Sequence, residues 1–317
     1  MAWFPMGLRF WPTKVGLGLM AILLLSLPGQ NDYQTLVVRP QAPRVRGAAV
    51  SIADTEIPVN GGGVKAPGLT ARAAMVVDVG SGTVLYQKNA QVPLLPASIT
   101  KVMTAVVAID SYKLDEVLGV KRADEAIGQN MGLVVGEKMT VENLLYGLLV
   151  KSGNDAALAL AENYPPGYQA FIDKMNQKAR EWQMIDTSFK NVSGVEQVGH
   201  VTTVRDLAVL AREAMKNEVV AKMVATKSIT VSDVSGEKEH ELKNINQLLG
   251  QVEGLRGLKT GWTESAGECL VTDTVRDGRE IITVILGSED RFGESEALIE
   301  WAYANHSWTQ SELTAGT

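Results

Sequence analysis

The stretch Ile99–Asp110, reading ITKVMTAVVAID, constrains the fold more than any other segment. It is apolar or small on every side at helical spacing, and a helix without a polar face must be covered all round. The chain can supply that cover, because 317 residues with 45% hydrophobic content are enough for one sizeable core. One cation, Lys101, interrupts the apolar run, three residues after Ser98. A lysine in that position is either a surface exception or a buried functional group.

The flanking pattern predicts what surrounds this helix. Ala74–Val79 and Thr83–Gln87 read as strands joined through Gly80-Ser81-Gly82. Val141–Val150 and Asp155–Asn163 read as helices broken at Lys151-Ser152-Gly153-Asn154. Tyr168, Phe171, Ile172, Met175, Ala179 and Trp182 fall on one helical face, and Val204–Met215 repeats the pattern. Strands follow at Ile229–Val234, Leu258–Trp262, Cys269–Val275 and Glu280–Leu286, and Phe292–Asn305 closes as a helix. Strands at both ends and helices between them predict an α+β domain: a largely antiparallel sheet flanked by helices on both faces.

The N-terminal region differs in kind. Arg9 and Lys14 precede an apolar run, Val15 to Leu27, that ends at Pro28-Gly29. It is shorter than the ~20 residues of a spanning helix, and its positive flank fits a secretion signal. Residues 1–30 are therefore expected to be a signal peptide or an uncleaved membrane anchor. No small-residue cleavage pair follows Leu27 directly, which keeps the anchor open. Residues 31–70, with four prolines and Gly61-Gly62-Gly63, read as a linker. The folded domain is expected over 71–306, with a short tail at 307–317.

A net charge of −6 argues against a nucleic-acid partner. A single cysteine, Cys269, permits no intrachain disulfide and reads as a small core residue. Three scattered histidines suggest neither a metal site nor a cofactor. His200 reads as a surface-loop residue.

Three short motifs stand in order: Ser98-Ile99-Thr100-Lys101, Ser152-Gly153-Asn154 and Lys259-Thr260-Gly261. Each is weak alone. Ser235-Gly236-Glu237-Lys238 repeats the first by chance, but in a polar turn and not at the start of a buried helix. A serine hydroxyl is a poor nucleophile until a base takes its proton. Residues three apart share a helix face, so Lys101 can reach Ser98. Lysine titrates near about 10.4 and serves as a base only when burial or a neighbouring cation lowers that value. The apolar helix offers burial, and Lys259 offers the cation. This trio of motifs is associated with penicillin-binding proteins and class A β-lactamases.

The segments around the motifs sharpen the resemblance. Pro96 to Thr104, Leu144 to Ala157 (LLYGLLVKSGNDAA) and Gly257 to Gly267 (GLKTGWTESAG) resemble the D-alanyl-D-alanine carboxypeptidases, the low-molecular-mass penicillin-binding proteins. Asn191–Gly194 and Thr202–Ala208 are similar too, so the likeness covers roughly residues 71 to 305. It implies Ser98 as acylated nucleophile and Lys101 as its base. Ser152 would relay a proton to the leaving amine, and Asn154 would orient the substrate amide. Lys259 and Thr260 would hold the terminal carboxylate, beside Gly261. The backbone N–H groups of Ser98 and Trp262 would form the oxyanion hole. The implied partners are peptidoglycan stem peptides ending in D-Ala-D-Ala, with β-lactams as covalent inhibitors, outside the cytoplasm.

Two departures stand out. Many family members continue into a β-rich domain and a membrane-binding helix, and the sequence ends at Thr317 with neither, so attachment is expected at the N-terminus. Residues 130–132 read Asn-Met-Gly in place of a serine-containing stretch. Three alternatives stay open. A D,D-endopeptidase would share every motif. A β-lactamase needs a water-activating carboxylate, and Asp186–Asn191 carries no glutamate, while Glu181 and Glu196 stand in a different local setting. A non-catalytic wall-binding or β-lactam-sensing domain would be expected to lack Lys101 or Lys259, and both are present.

Overall fold

The computed structural model describes residues 56–310. The N-terminal segment 1–30, the first part of the 31–70 region and residues 311–317 lie outside the described residues.

The central element is a five-stranded sheet in the order β3-β2-β10-β9-β8, antiparallel at every pairing. Its strands are β2 (Ala73–Asp78), β3 (Val84–Lys88), β8 (Leu255–Thr263), β9 (Gly267–Arg276) and β10 (Arg279–Ser288). Because β2 pairs with β10, strands from both ends of the described region close one sheet, and all but one of the described α-helices are inserted between them. The inserted helices are α1 (Thr100–Ser111), α2 (Val141–Leu149), α3 (Asn154–Glu162), α4 (Tyr168–Glu181), α5 (Val204–Met215) and α6 (Glu218–Val224); α7 (Arg291–Asn305) follows the last sheet strand.

The sheet strands are apolar on both sides because both faces are covered. Ala73 and Met75 of β2 and Ile282, Val284 and Leu286 of β10 pack toward α1 and the other inserted helices. Their alternates, Ala74, Val76, Ile281 and Ile285, pack against Leu298, Ile299 and Ala302 of α7. This two-residue alternation splits the core into two layers of side chains. The expected α+β architecture with helices on both faces is the one observed.

Helix α1 is the covered rod that its sequence demands. Every residue from Thr100 to Ala108 is buried, Lys101 included. Tertiary bonds satisfy its polar groups: Thr104 Oγ1 donates to the Val192 carbonyl at 2.7 Å. Helix α5 starts at a Thr203 cap that accepts from the Asp206 N–H at 3.1 Å.

Three two-stranded ribbons complete the fold, and each shows something that periodicity left unseen. The first corrects the boundaries read from sequence. Glu56–Val59 (β1) pairs antiparallel with Ser307–Gln310 (β11), so part of the expected linker and part of the expected tail form one ribbon. It is held to the body where Trp308 Nε1 donates to Asp78 Oδ1 at 2.8 Å and Arg279 pairs with Glu56 at 2.9 Å. Trp301 of α7 likewise donates to the Val64 carbonyl at 3.0 Å. The other ribbons are β4 (Val117–Gly119) with β5 (Lys138–Thr140), and β6 (Ser228–Ser232) with β7 (Glu239–Lys243). Strands of three residues are too short to show a period, and α6 spans only seven residues.

Candidate active site

The chain enters α1 through a 3-10 turn, Ala97–Ile99, that presents Ser98. Ala97 holds a left-handed φ of +47°, a conformation that costs a non-glycine residue energy and that clusters at functional sites. Neighbours over-determine it. Thr100 Oγ1 donates to the Ala97 carbonyl at 2.9 Å, and the same hydroxyl lies 2.9 Å from His200 Nε2. Gly194 packs so closely that a Cβ there would lie 1.8 Å from the Ala97 oxygen.

Lys101, one turn on, points its amine back at the serine. Nζ lies 2.9 Å from Ser98 Oγ and donates to the Ser193 carbonyl at 2.7 Å. Burial lowers its pKa well below the usual lysine value, and the nearby Lys259 lowers it further; buried Asp155 acts in the opposite sense. The amine is thus poised to be neutral beside a hydroxyl, which is what a general base requires. Lys259 is itself buried, and burial with the Arg291 charge brings it down to about 7.

The second motif caps the opposite wall. Ser152 adopts φ +63°, again left-handed for a non-glycine residue, and Asn154 starts α3. Asn154 donates from Nδ2 to the Ile127 carbonyl, and its N–H binds the Gln129 carbonyl at 2.7 Å. The loop they hold is anchored by Asp155, a fully buried carboxylate. It accepts the N–H groups of Met131, Gly132, Leu133 and Ala156 at 2.9 to 3.0 Å. Met131 and Gly132 therefore hold this carboxylate through their backbone, while Asn130 Oδ1 accepts the Asp155 N–H at 3.2 Å.

The third motif lies on β8, along the edge of the sheet. A Cβ on Gly261 would stand 3.0 Å from the Ser98 nitrogen, so glycine leaves the space before that N–H open. Arg291 Nη1 donates to the Gly261 carbonyl at 2.9 Å. Trp262 exposes 61% of its surface and lines the cleft.

Ser98, Ser152, Asn154, Thr260, Gly261 and Trp262 line one cleft of about 500 Å³, with Lys101 and Lys259 buried behind it. Motifs from three distant segments thus meet at one point. Cys269 is a buried core thiol whose pKa burial pushes up to about 11, in keeping with its inert reading.

The structure also adds residues. Arg291 lines the cleft, and its sequence position held a hint: a cation in the first turn of a helix opposes the helix dipole. Asp155 carried no local sign. His200 corrects its surface-loop reading. It is 1% exposed, accepts the Lys190 N–H at Nδ1, and burial takes its pKa down to about 4, so the neutral ring donates from Nε2 to Thr100. Glu196, set aside by its sequence setting, lies on the cleft wall. Its carboxylate accepts from the Ser265 N–H and hydroxyl at 2.9 and 2.7 Å.

Comparison with known proteins places the chain among relatives of one family. The D-alanyl-D-alanine carboxypeptidase family pattern matches residues 61–290. D-alanyl-D-alanine carboxypeptidase DacF of Bacillus subtilis is 33% identical over 245 residues, 74% of this chain and 63% of that protein. The chain thus spans about 63% of the length of that relative. Among solved structures, the Streptomyces K15 DD-transpeptidase superposes with a TM-score of 0.73 at 33% identity, covering 76% of this chain and 100% of that one. Penicillin-binding protein D2 of Listeria monocytogenes, in its ampicillin-bound form, gives 0.67 at 30% identity over 75% of this chain and 100% of its own. The chain belongs to the D-alanyl-D-alanine carboxypeptidase family.

Proposed function

We propose that the protein is a serine-type D-Ala-D-Ala carboxypeptidase that acts on peptidoglycan stem peptides through an acyl-enzyme at Ser98. The observation that carries this reading is the buried Lys101 amine 2.9 Å from Ser98 Oγ, with burial and Lys259 both favouring its neutral form. Family membership supports it.

Lys101 takes the hydroxyl proton as Ser98 Oγ attacks the carbonyl carbon of the penultimate D-Ala. The oxyanion is received by the backbone N–H groups of Ser98 and Trp262, the first of them kept clear by Gly261. Lys259, Thr260 and Arg291 form the pole that attracts the terminal carboxylate, and Asn154 orients the peptide amide across the cleft. Ser152 relays that hydroxyl proton from Lys101 to the departing D-alanine amine, which leaves Lys101 neutral again. Water then attacks the ester, Lys101 accepts its proton and returns it to Ser98 Oγ as the ester bond breaks, and the shortened peptide leaves.

A β-lactam presents an amide and carboxylate at similar spacing, so it is expected to acylate Ser98. The ampicillin-bound form of the Listeria relative supports this. The apolar 15–27 run with its basic flank supports secretion or N-terminal anchoring, which puts the catalytic domain on the outer side of the membrane. The test is incubation of the protein with defined muropeptides and mass analysis of the products. Release of D-alanine by the wild type and not by Ser98→Ala is expected. Intact muropeptides, or release that persists without Ser98, would overturn the proposal.

A further inference from the structure

The peptide unit between Ala97 and Ser98 has two polar ends with different surroundings. Its N–H faces the space that Gly261 leaves open, where the reaction proposed above receives an oxyanion. A trans peptide holds its C=O antiparallel to that N–H, so whatever grips the carbonyl also aims the donor. The carbonyl meets a buried chain of hydrogen bonds to which the steps above assign no part.

Each direction in that chain is fixed. The Lys190 N–H donates to His200 Nδ1 at 3.2 Å, so the neutral ring carries its proton on Nε2. Nε2 lies 2.9 Å from Thr100 Oγ1, and that hydroxyl has one proton, which it donates to the Ala97 carbonyl at 2.9 Å. The Thr100 N–H donates to the same carbonyl. His200 and Thr100 are 1% and 0% exposed, and the Phe189 ring meets the imidazole edge to face with 5.8 Å between centroids. Gly194 packs against the hydroxyl so closely that a Cβ there would stand 2.9 Å from Oγ1. A histidine buried for packing alone needs partners of any kind. The partner of this one is the hydroxyl that grips the nucleophile's own peptide unit.

We infer that His200 is a positioning residue of the acylation step: through the Thr100 hydroxyl it orients and polarises the Ala97–Ser98 peptide unit, so that the Ser98 N–H is aimed and strengthened as an oxyanion donor. The inference rests on the enzymatic reading above. Donation to an amide oxygen draws electron density from its nitrogen, and hydrogen bonds in a chain strengthen one another in a dry interior. The same grip holds Ala97 at its left-handed φ of +47°, a strained conformation that persists only when its surroundings over-determine it.

The test is penicillin acylation of the full chain, followed by rapid mixing so that the acylation rate constant is separated from the dissociation constant of the preceding non-covalent complex. His200→Ala is expected to slow acylation about tenfold with that dissociation constant unchanged, less than the roughly 10²-fold cost of losing a whole oxyanion donor. Thr100→Val, similar in shape but without the hydroxyl, is expected to show the same loss, and the double variant no more than either, because both cut one chain. His200→Gln is expected to retain most of the rate, since its amide oxygen can accept the Lys190 N–H while its nitrogen donates to Thr100. The acidic limb of the acylation profile is expected to stay in place throughout, because Lys101 bonds Ser98 and Ser193 and no member of the chain.

Wild-type acylation in His200→Ala and Thr100→Val would overturn the inference, as would equal loss in the Gln and Ala variants or losses that multiply in the double variant. If His200→Ala does not fold, slow acylation in Thr100→Val with a near wild-type rate in His200→Gln supports the inference, and any other pairing overturns it. If the wild type takes no penicillin label and releases no D-alanine, the enzymatic reading falls and this inference with it. A labelled wild type whose variants match it removes this inference alone.

Discussion

His200 and Thr100, one hundred residues apart in sequence, meet at 2.9 Å directly beneath the turn that presents Ser98. The neutral imidazole donates to the threonine hydroxyl, which in turn donates a hydrogen bond to the Ala97 carbonyl. A buried ring thereby fixes the strained residue that precedes the serine.

This relay predicts a pH dependence of stability. The folded-state pKa of His200 is about 4 against an ordinary 6.5. Between those values the unfolded chain binds a proton that the native ring refuses, so stability falls as pH falls through this window. The loss reaches ~3 kcal/mol at its lower end. In urea titrations His200→Gln is expected to lack this part of the slope. An identical slope in the variant would show that His200 is not the group responsible.

Lys259 is expected to act on Lys101 as well as on substrate. The Lys259→Gln variant removes a cation that lowers the Lys101 pKa, so that pKa rises. Because the base works only when neutral, the acidic limb of the kcat/KM profile moves to higher pH. Loss of the charged contact to the terminal carboxylate also lowers turnover by roughly 30-fold, equivalent to ~2 kcal/mol. Reduced turnover with an unmoved limb would confine Lys259 to carboxylate binding.

Gly261→Ala tests the space in front of the nucleophile. The added methyl would stand 3.0 Å from the Ser98 nitrogen, where an oxyanion is to be received. Acylation by penicillin is expected to slow by about 10²-fold, as for loss of one oxyanion donor. Acylation at the wild-type rate would remove the Ser98 N–H from the proposed oxyanion hole.

Asp155→Asn separates scaffold from chemistry. The carboxylate accepts four backbone N–H groups while buried, and an amide has one acceptor oxygen for them. Unpaired buried N–H groups are expected to cost ~3 kcal/mol or more in urea unfolding. Full stability in the variant would mean that the 130–133 loop is held by other contacts.

Much of the architecture is written locally. The all-round apolar pattern of α1, the two-residue alternation of the sheet strands and the three short motifs each express burial or chemistry within a few residues. Lys101 is the clearest case: a lone cation in a helix that must be covered, three residues from a serine, already states that a lysine will be desolvated beside a hydroxyl. The Ser98, Ser152 and Lys259 motifs carried Asn154, Thr260, Gly261 and Trp262 with them.

The tertiary structure alone decided the rest. No period announces that Glu56–Val59 would pair with Ser307–Gln310, since a four-residue strand gains its identity from a partner some 250 positions away. Asp155 looks like any acidic residue in a first helical turn until the 130–133 loop wraps its carboxylate. His200 reads as a loop residue until Thr100 and Phe189 enclose it. Arg291 gains its place when α7 starts against β8, and Glu196 when its loop reaches Ser265 across the cleft. Local sequence determines what a segment must bury, because burial repeats with the period of the backbone. Which polar group meets which depends on long-range closure of the sheet, and that leaves no periodic trace.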